Sequence, residues 1–203
     1  NMVKHGFLKM SPGQRNVVYA DGSPFLMIAD TPWGLPYRGT KESVTAYSKN
    51  RQSRGINAAL LMSLQPDMRA EGPDDRVSQA GFAKAFSDLP DGHINNLNPT
   101  YFQTLDTLIG ILLEHEIVPV FQPVFHGFGW KGLDVLGAVA DPDEYVRYSR
   151  YLLARYGASH AFWLVSGDNN GLGPGVKEAG EYIEEWDPHR QPTGIHYNPM
   201  CDN

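Results

Sequence analysis

Five short strand-like runs, the first four of them apolar, separated by longer polar or amphipathic stretches, constrain this chain more than any other feature. They are Pro24-Phe-Leu-Met-Ile-Ala29, Asn57-Ala-Ala-Leu-Leu-Met62, Ile117-Val-Pro-Val-Phe-Gln122, Ala161-Phe-Trp-Leu-Val165 and Thr193-Gly-Ile-His-Tyr197. Unbroken apolar runs of this length are expected of strands buried on both faces, the condition of a parallel sheet covered by helices. The segments between them carry helix signals. Thr40-Lys-Glu-Ser heads a polar stretch that ends at Gly55, the pattern of a capped helix. Asn98-Pro99 supplies an N-cap and a first-turn proline, and Tyr101, Phe102, Leu105, Leu108, Ile109, Leu112 and Leu113 fall on one helical face. Asp141-Pro142 opens a further helix with the stripe Tyr145, Tyr148, Leu152, Leu153 and Tyr156, stopped by Gly157, and a last helix runs from Gly175 to Trp186.

Strands alternating with helices predict parallel βαβ units with right-handed crossovers. Two α/β architectures fit: an open doubly wound sheet, complete at five strands, or a (β/α)8 barrel of the TIM type of which this chain covers strands one to five. Polar residues at the strand ends separate them, because a barrel assembles its site from many strand ends and an open sheet from one crevice. Here every run ends in polar groups. Asp30-Thr-Pro-Trp33 follows the first, Ser63 and Gln65 the second, Gln122 and His126 the third, Asp168 and Asn169 the fourth, and His196 and Tyr197 close the fifth. The barrel is therefore expected, as a single domain over 1–203 with strands one to five in 24–203. Residues 1–23 read as an N-terminal β-hairpin, Gly6–Met10 with Asn16–Ala20, after which Asp21-Gly22 is a turn signal leading into the next run. The irregular stretch from Ser63 to Leu97 is too long for a mere connection and reads as a lid or binding loop.

Composition removes several classes of function. Seventeen Lys and Arg against 23 Asp and Glu, with the basic residues scattered, leave no phosphate-tracking patch, so nucleic acid is not an expected partner. The single Cys201 excludes an intrachain disulfide framework and a cysteine-rich zinc site. Neither a membrane span nor a signal peptide is visible; because the chain starts at Asn1, the compartment stays open, cytoplasmic or exported with a leader already removed. Gly167-Asp-Asn-Asn-Gly-Leu-Gly-Pro-Gly175 lies between strand and helix like a phosphate loop. It lacks both the Gly-x-Gly-x-x-Gly spacing and a Gly-Lys-Ser/Thr end, and Pro174 deletes an amide. There is no Gly-x-Ser-x-Gly elbow and no His-Glu-x-x-His zinc pattern, and Asp141-Pro-Asp-Glu144 reads as an acidic helix start. No metal and no organic cofactor are expected.

Asp168 is the first candidate for chemistry. A carboxylate just beyond an apolar strand, after a glycine that lets the chain turn tightly, can be held at a rim partly out of water, which suits general-acid use. The same residue serves equally well as a turn or cap. Asp30 reads either as an acceptor for substrate hydroxyls or as a structural bond across the barrel mouth. Trp33 and Trp130 offer flat walls for the C–H face of a sugar, or packing for long loops; Trp163 lies inside its strand and reads as core. Gln65, Gln122, His126, Asn169, His196 and Tyr197 are candidate partners for a polyol, each also readable as a satisfied structural polar group.

Leu26-Met-Ile-Ala-Asp-Thr-Pro-Trp33, Arg54-Gly-Ile-Asn-Ala-Ala-Leu-Leu61, Phe162-Trp-Leu-Val-Ser-Gly-Asp168 and Gly194-Ile-His-Tyr197, in that order, resemble the apiosidase-like glycoside hydrolases, often labelled endoglucanases. The resemblance runs from Tyr19 to Asn198. It implies a (β/α)8 barrel that cleaves glycosidic bonds in polysaccharides, with a carbohydrate as its partner. It places the strand-four Gly-Gly-Asp carboxylate on Asp168, as the acid that protonates the leaving oxygen, and the strand-one Asp-Thr-x-Trp motif on Asp30 and Trp33, lining the sugar site. Ser166 and Pro32 depart from the family pattern without removing a functional group. The resemblance puts the second carboxylate, a Glu on a late strand, beyond residue 203. Glycoside hydrolysis needs two; a non-catalytic carbohydrate-binding or degenerate barrel is the alternative. Three more βα units are expected to complete the barrel, or else a partner, such as a second copy in a homo-oligomer, closes the open edge.

Overall fold

The computed structural model describes residues 2–71, 83–127 and 132–198. In chain order the elements are α1 (Met2–His5), β1 (Leu8–Met10), β2 (Val17–Tyr19), β3 (Ala29–Asp30), α2 (Leu35–Arg38), α3 (Lys41–Gln52), β4 (Ala58–Met62) and α4 (Pro99–Glu114). Then follow β5 (Val118–Gln122), β6 (Val124–Phe125), α5 (Pro142–Tyr156), β7 (Phe162–Leu164), β8 (Ser166–Gly167), α6 (Val176–Trp186) and β9 (Thr193–Gly194). A five-stranded parallel sheet runs in the order β3-β4-β5-β7-β9, so each βα unit lays its strand beside the previous one. The three helices with sequence caps start where the caps stand. Thr40 and Ser43 form a reciprocal capping box, and Asn98 and Asp141 accept the first free amides of α4 and α5.

Residues alternate between two cores. One face of β4, β5 and β7 turns Leu61, Phe121 and Trp163 toward buried residues of the helices, among them Leu105, Leu112, Tyr148 and Leu152. The other face, Ala58, Val118, Val120 and Phe162, forms the interior layer. Leu8 and Phe25 fill that layer from the strands' N-terminal side, beneath which β1 and β2 pair antiparallel with Leu8 opposite Tyr19. The hairpin is thus a plug for the base. Burying a side chain such as Leu8 contributes about 1.5–3 kcal/mol, and Phe7 adds a stack on the rings of His160 and His189.

Two strands differ from expectation. The run Pro24–Ala29 is not buried on both faces: only Ala29 and Asp30 enter the ladder, and Leu26 is 76% exposed, with Met27 and Ile28 also exposed. β3 is the outer strand of the sheet, with no described neighbour beyond it. The side chain of Asn57 stands in for a peptide unit there, its Oδ1 accepting from Ile28 N and its Nδ2 donating to Leu26 O, both at 2.8 Å. The third and fourth strands continue past their expected ends. Pro123 has no N–H and interrupts the β5 ladder, where the Ser63 hydroxyl donates to Gln122 O at 2.9 Å. Pairing then resumes between β6 and β8 and ends at a bridge between Asn169 and Tyr197.

Residues 83–97 of the long loop are pinned from below. Asp88 accepts the amides of Asn95 and Asn96, and Glu144 of α5 accepts from Ile94 N at 3.0 Å, Asn95 Nδ2 at 2.6 Å and His93 Nδ1 at 3.0 Å. Burial pushes the Glu144 carboxyl upward, but these donors outweigh it and hold its pKa below the usual value. A depressed carboxylate pKa stabilises the fold above the unfolded-state pKa, and that contribution disappears as pH falls through the folded value. Glu144→Gln is expected to cost about 1–2 kcal/mol at neutral pH. The gap from wild type should narrow below about pH 4, as read by urea unfolding across pH.

Candidate active site

Asp168 follows β8 with φ +47°, in the left-handed region. Asp tolerates that conformation better than most residues, and holding it there costs on the order of 1 kcal/mol or more. The carboxylate has no room to move toward the preceding strand. A Cβ on Gly127 would stand 2.5 Å from Asp168 Oδ2 and 2.8 Å from the Phe125 ring. On the other side His196 Nδ1 lies 3.4 Å from Oδ1, and the Asp168 side chain is left 18% exposed. His196 is held by the extended ladder, donating its N–H to Ser166 O at 3.0 Å and accepting from Asn169 N at 3.4 Å. Trp33 completes the wall, its ring centroid 5.8 Å from Phe125 and 6.4 Å from His196.

Behind this wall lies a buried polar layer. Gln122 continues the inward alternation of Val118 and Val120, and both atoms of its carboxamide lack a hydrogen-bond partner. His126 is likewise buried with both ring nitrogens unpartnered, and burial pushes its pKa down to about 4, which keeps the ring neutral near pH 7. Its backbone N–H bonds Gly167 O at 2.9 Å. Asn169 turns inward to order the following loop, its Oδ1 accepting from Gly171 N at 2.7 Å and Gly173 N at 3.3 Å. Tyr197 is exposed beside it.

Two candidates stand elsewhere. Asp30 does not bridge the mouth: its carboxylate is paired with Arg51 and accepts from Tyr47 Oη at 3.2 Å, both on α3, so it ties the outer strand to its helix. Burial raises the Asp30 pKa, but the Thr31 amide and Arg51 outweigh this and keep it ionised, while burial and that anion push the Tyr47 phenol up to about 12. Gln65 is buried with both ends of its amide bonded to the loop, at Ala83 O and Ala85 N. Trp130 and Cys201 lie outside the described residues. The residue the pattern did not single out is Gly127; its only sequence signal is its place in the Gly-containing run after His126. Among the described residues no group of three or more His, Cys, Asp or Glu side chains is gathered as a metal would need.

The family model of the apiosidase-like catalytic domain matches residues 11–203, nearly the whole chain. The chain belongs to the apiosidase-like family. No curated protein matches it. Among solved structures, this apiosidase-like chain is similar to a glycoside hydrolase family 5 protein from Bacteroides vulgatus, at TM-score 0.71 and 20% identity over 96% of this chain and 40% of that one. A second structure titled glycoside hydrolase gives TM-score 0.75 at 19% identity, covering 96% and 42% of the two chains. An endo-1,4-beta-mannanase from Rhizomucor miehei gives 0.67 at 14%, covering 95% and 61%. These likenesses show the fold: a (β/α)8 barrel of which the apiosidase-like chain supplies strands one to five, and not an open doubly wound sheet. The chain spans about two fifths of the length of the first two structures.

Proposed function

We propose that this protein is a glycoside hydrolase in which Asp168 protonates the leaving glycosidic oxygen and later takes a proton from water. One observation carries the reading: a partly exposed carboxylate held in left-handed backbone at the end of the fourth barrel strand, between Gly127 and His196 and beside Trp33. Strand ends are where barrels of this type collect their catalytic groups, and strain at such a residue is more readily retained where function requires it. Trp33 offers the apolar face of a sugar ring a flat partner, and Tyr197, Gln122, His126 and Asn169, with His196, are the candidate polar groups of the site. The second carboxylate would come from a later strand, beyond residue 203. Nothing in the reading needs a metal or an organic cofactor. No helix among the described residues is long and apolar enough to cross a membrane.

The direct test offers the full-length protein a panel of aryl glycosides and plant and microbial polysaccharides. Release of aryl alcohol or reducing sugar supports the reading. Calorimetric binding of oligosaccharides with no release would replace it with a non-catalytic sugar-binding barrel. Gly127→Ala tests the placement of the carboxylate without touching its charge. Its methyl would force Asp168 and Phe125 aside, and a misplacement of that order is expected to lower kcat up to about a hundredfold while the protein stays folded by circular dichroism.

A further inference from the structure

The group beside the Asp168 carboxylate is the imidazole of His196. Its Nδ1 is buried, has no hydrogen-bond partner and lies 3.4 Å from Asp168 Oδ1. The ring itself is about one third exposed (35%). Both backbone bonds of His196 go to the segment that carries Asp168, at Ser166 O and Asn169 N, so ring and carboxylate are mounted on one ladder. The other oxygen, Oδ2, sits over Gly127. His126 on the strand-three side is buried and kept neutral by burial, and Tyr197, next to His196 in the chain, is exposed. Trp33 and Ser166 complete the surround without charge.

We infer that His196 is the positioning residue of Asp168, its Nδ1–H taking up Oδ1 so that the carboxylate turns a fixed face to the sugar. The assignment rests on the proposed glycosidase reading and extends it, giving His196 a task other than holding a sugar hydroxyl. A donor at this atom does two things. It fixes the carboxylate rotamer before substrate arrives, and it stabilises the anion left once Asp168 has delivered its proton.

The test uses the difference between the two ring nitrogens. Asn places its amide nitrogen near the position of Nδ1, whereas Gln reaches toward that of Nε2. In the full-length protein, His196→Ala and His196→Gln are expected to lose up to about a hundredfold in kcat with little change in KM, and His196→Asn to recover most of it. Equal losses in Asn and Gln, or a loss carried by KM, overturn the assignment and return His196 to sugar binding. A second arm needs no turnover. Nitrogen-15 histidine spectra of the full-length protein should show His196 as the Nδ1–H tautomer in wild type and a shift toward Nε2–H in Asp168→Ala; an Nε2–H wild type overturns the pairing. Wild type without turnover, but with the Nδ1–H tautomer, would sink the glycosidase reading and leave the pair standing.

Discussion

Asp168→Asn is expected to lower turnover of a glycoside with a poor leaving group by about a hundredfold to ten-thousandfold, the usual contribution of a positioned general acid. The exchange is nearly isosteric. Asn tolerates the left-handed φ of +47° as Asp does, so thermal stability should change little. An activated aryl glycoside, which needs less help from an acid at the bond-breaking step, should lose less than a polysaccharide does. That difference between substrates is the signature of an acid and not of a binding residue. Asp168→Gly separates strain from chemistry: it should be equally inactive yet not destabilised, gaining up to about 1 kcal/mol where the left-handed strain is relieved. Near-normal turnover in Asp168→Asn on a substrate with a poor leaving group would end the assignment.

Trp163→Ala should have the largest effect on stability. The side chain is fully buried and stacks on Phe121 at 5.3 Å and 19°, and Phe121 in turn stacks on Tyr156 at 4.9 Å and 19°. The three rings join β7, β5 and α5, so removing the large ring at the β7 end of that stack leaves a void beside Phe121. The expected cost is about 3–5 kcal/mol, against a total stability that for most domains is about 5–15 kcal/mol. At roughly 2–4 °C per kcal/mol for a chain of this size, the thermal midpoint should fall by about 6–20 °C. Trp163→Phe should cost less, because it keeps most of the volume and removes an indole N–H that has no partner. A midpoint within about 2 °C of wild type for the alanine variant would show that the sheet–helix layer is not the main source of stability.

Most of the scaffold is legible in the sequence because its signals are local. Thr40, Asn98 and Asp141 each cap a helix within three residues of themselves, and the inward–outward alternation of β4 and β5 is set by side chains within one strand. The site is legible only in part. Asp168 at the end of strand four was readable from its position after an apolar run, and family motifs named it again. The roles of Asp30 and Gln65 were not, because each is decided by groups far along the chain: Arg51 on α3 for one, Ala83 and Ala85 of the loop for the other.

The sequence by itself therefore determined the order of strands and helices, the parallel sheet they make and the one carboxylate that ends its fourth strand. Periodicity and capping act over a few residues and need no partner from elsewhere. Only the tertiary structure decided which polar side chains are spent on the scaffold and which are left facing the mouth. It brought His196 to Asp168 from the neighbouring strand, tied Asp30 to a helix, left Leu26 to Ile28 exposed ahead of the outer strand and made Gly127 a position where no side chain fits. Each of these depends on distances between segments that are remote in sequence, which the pattern of any one segment does not carry.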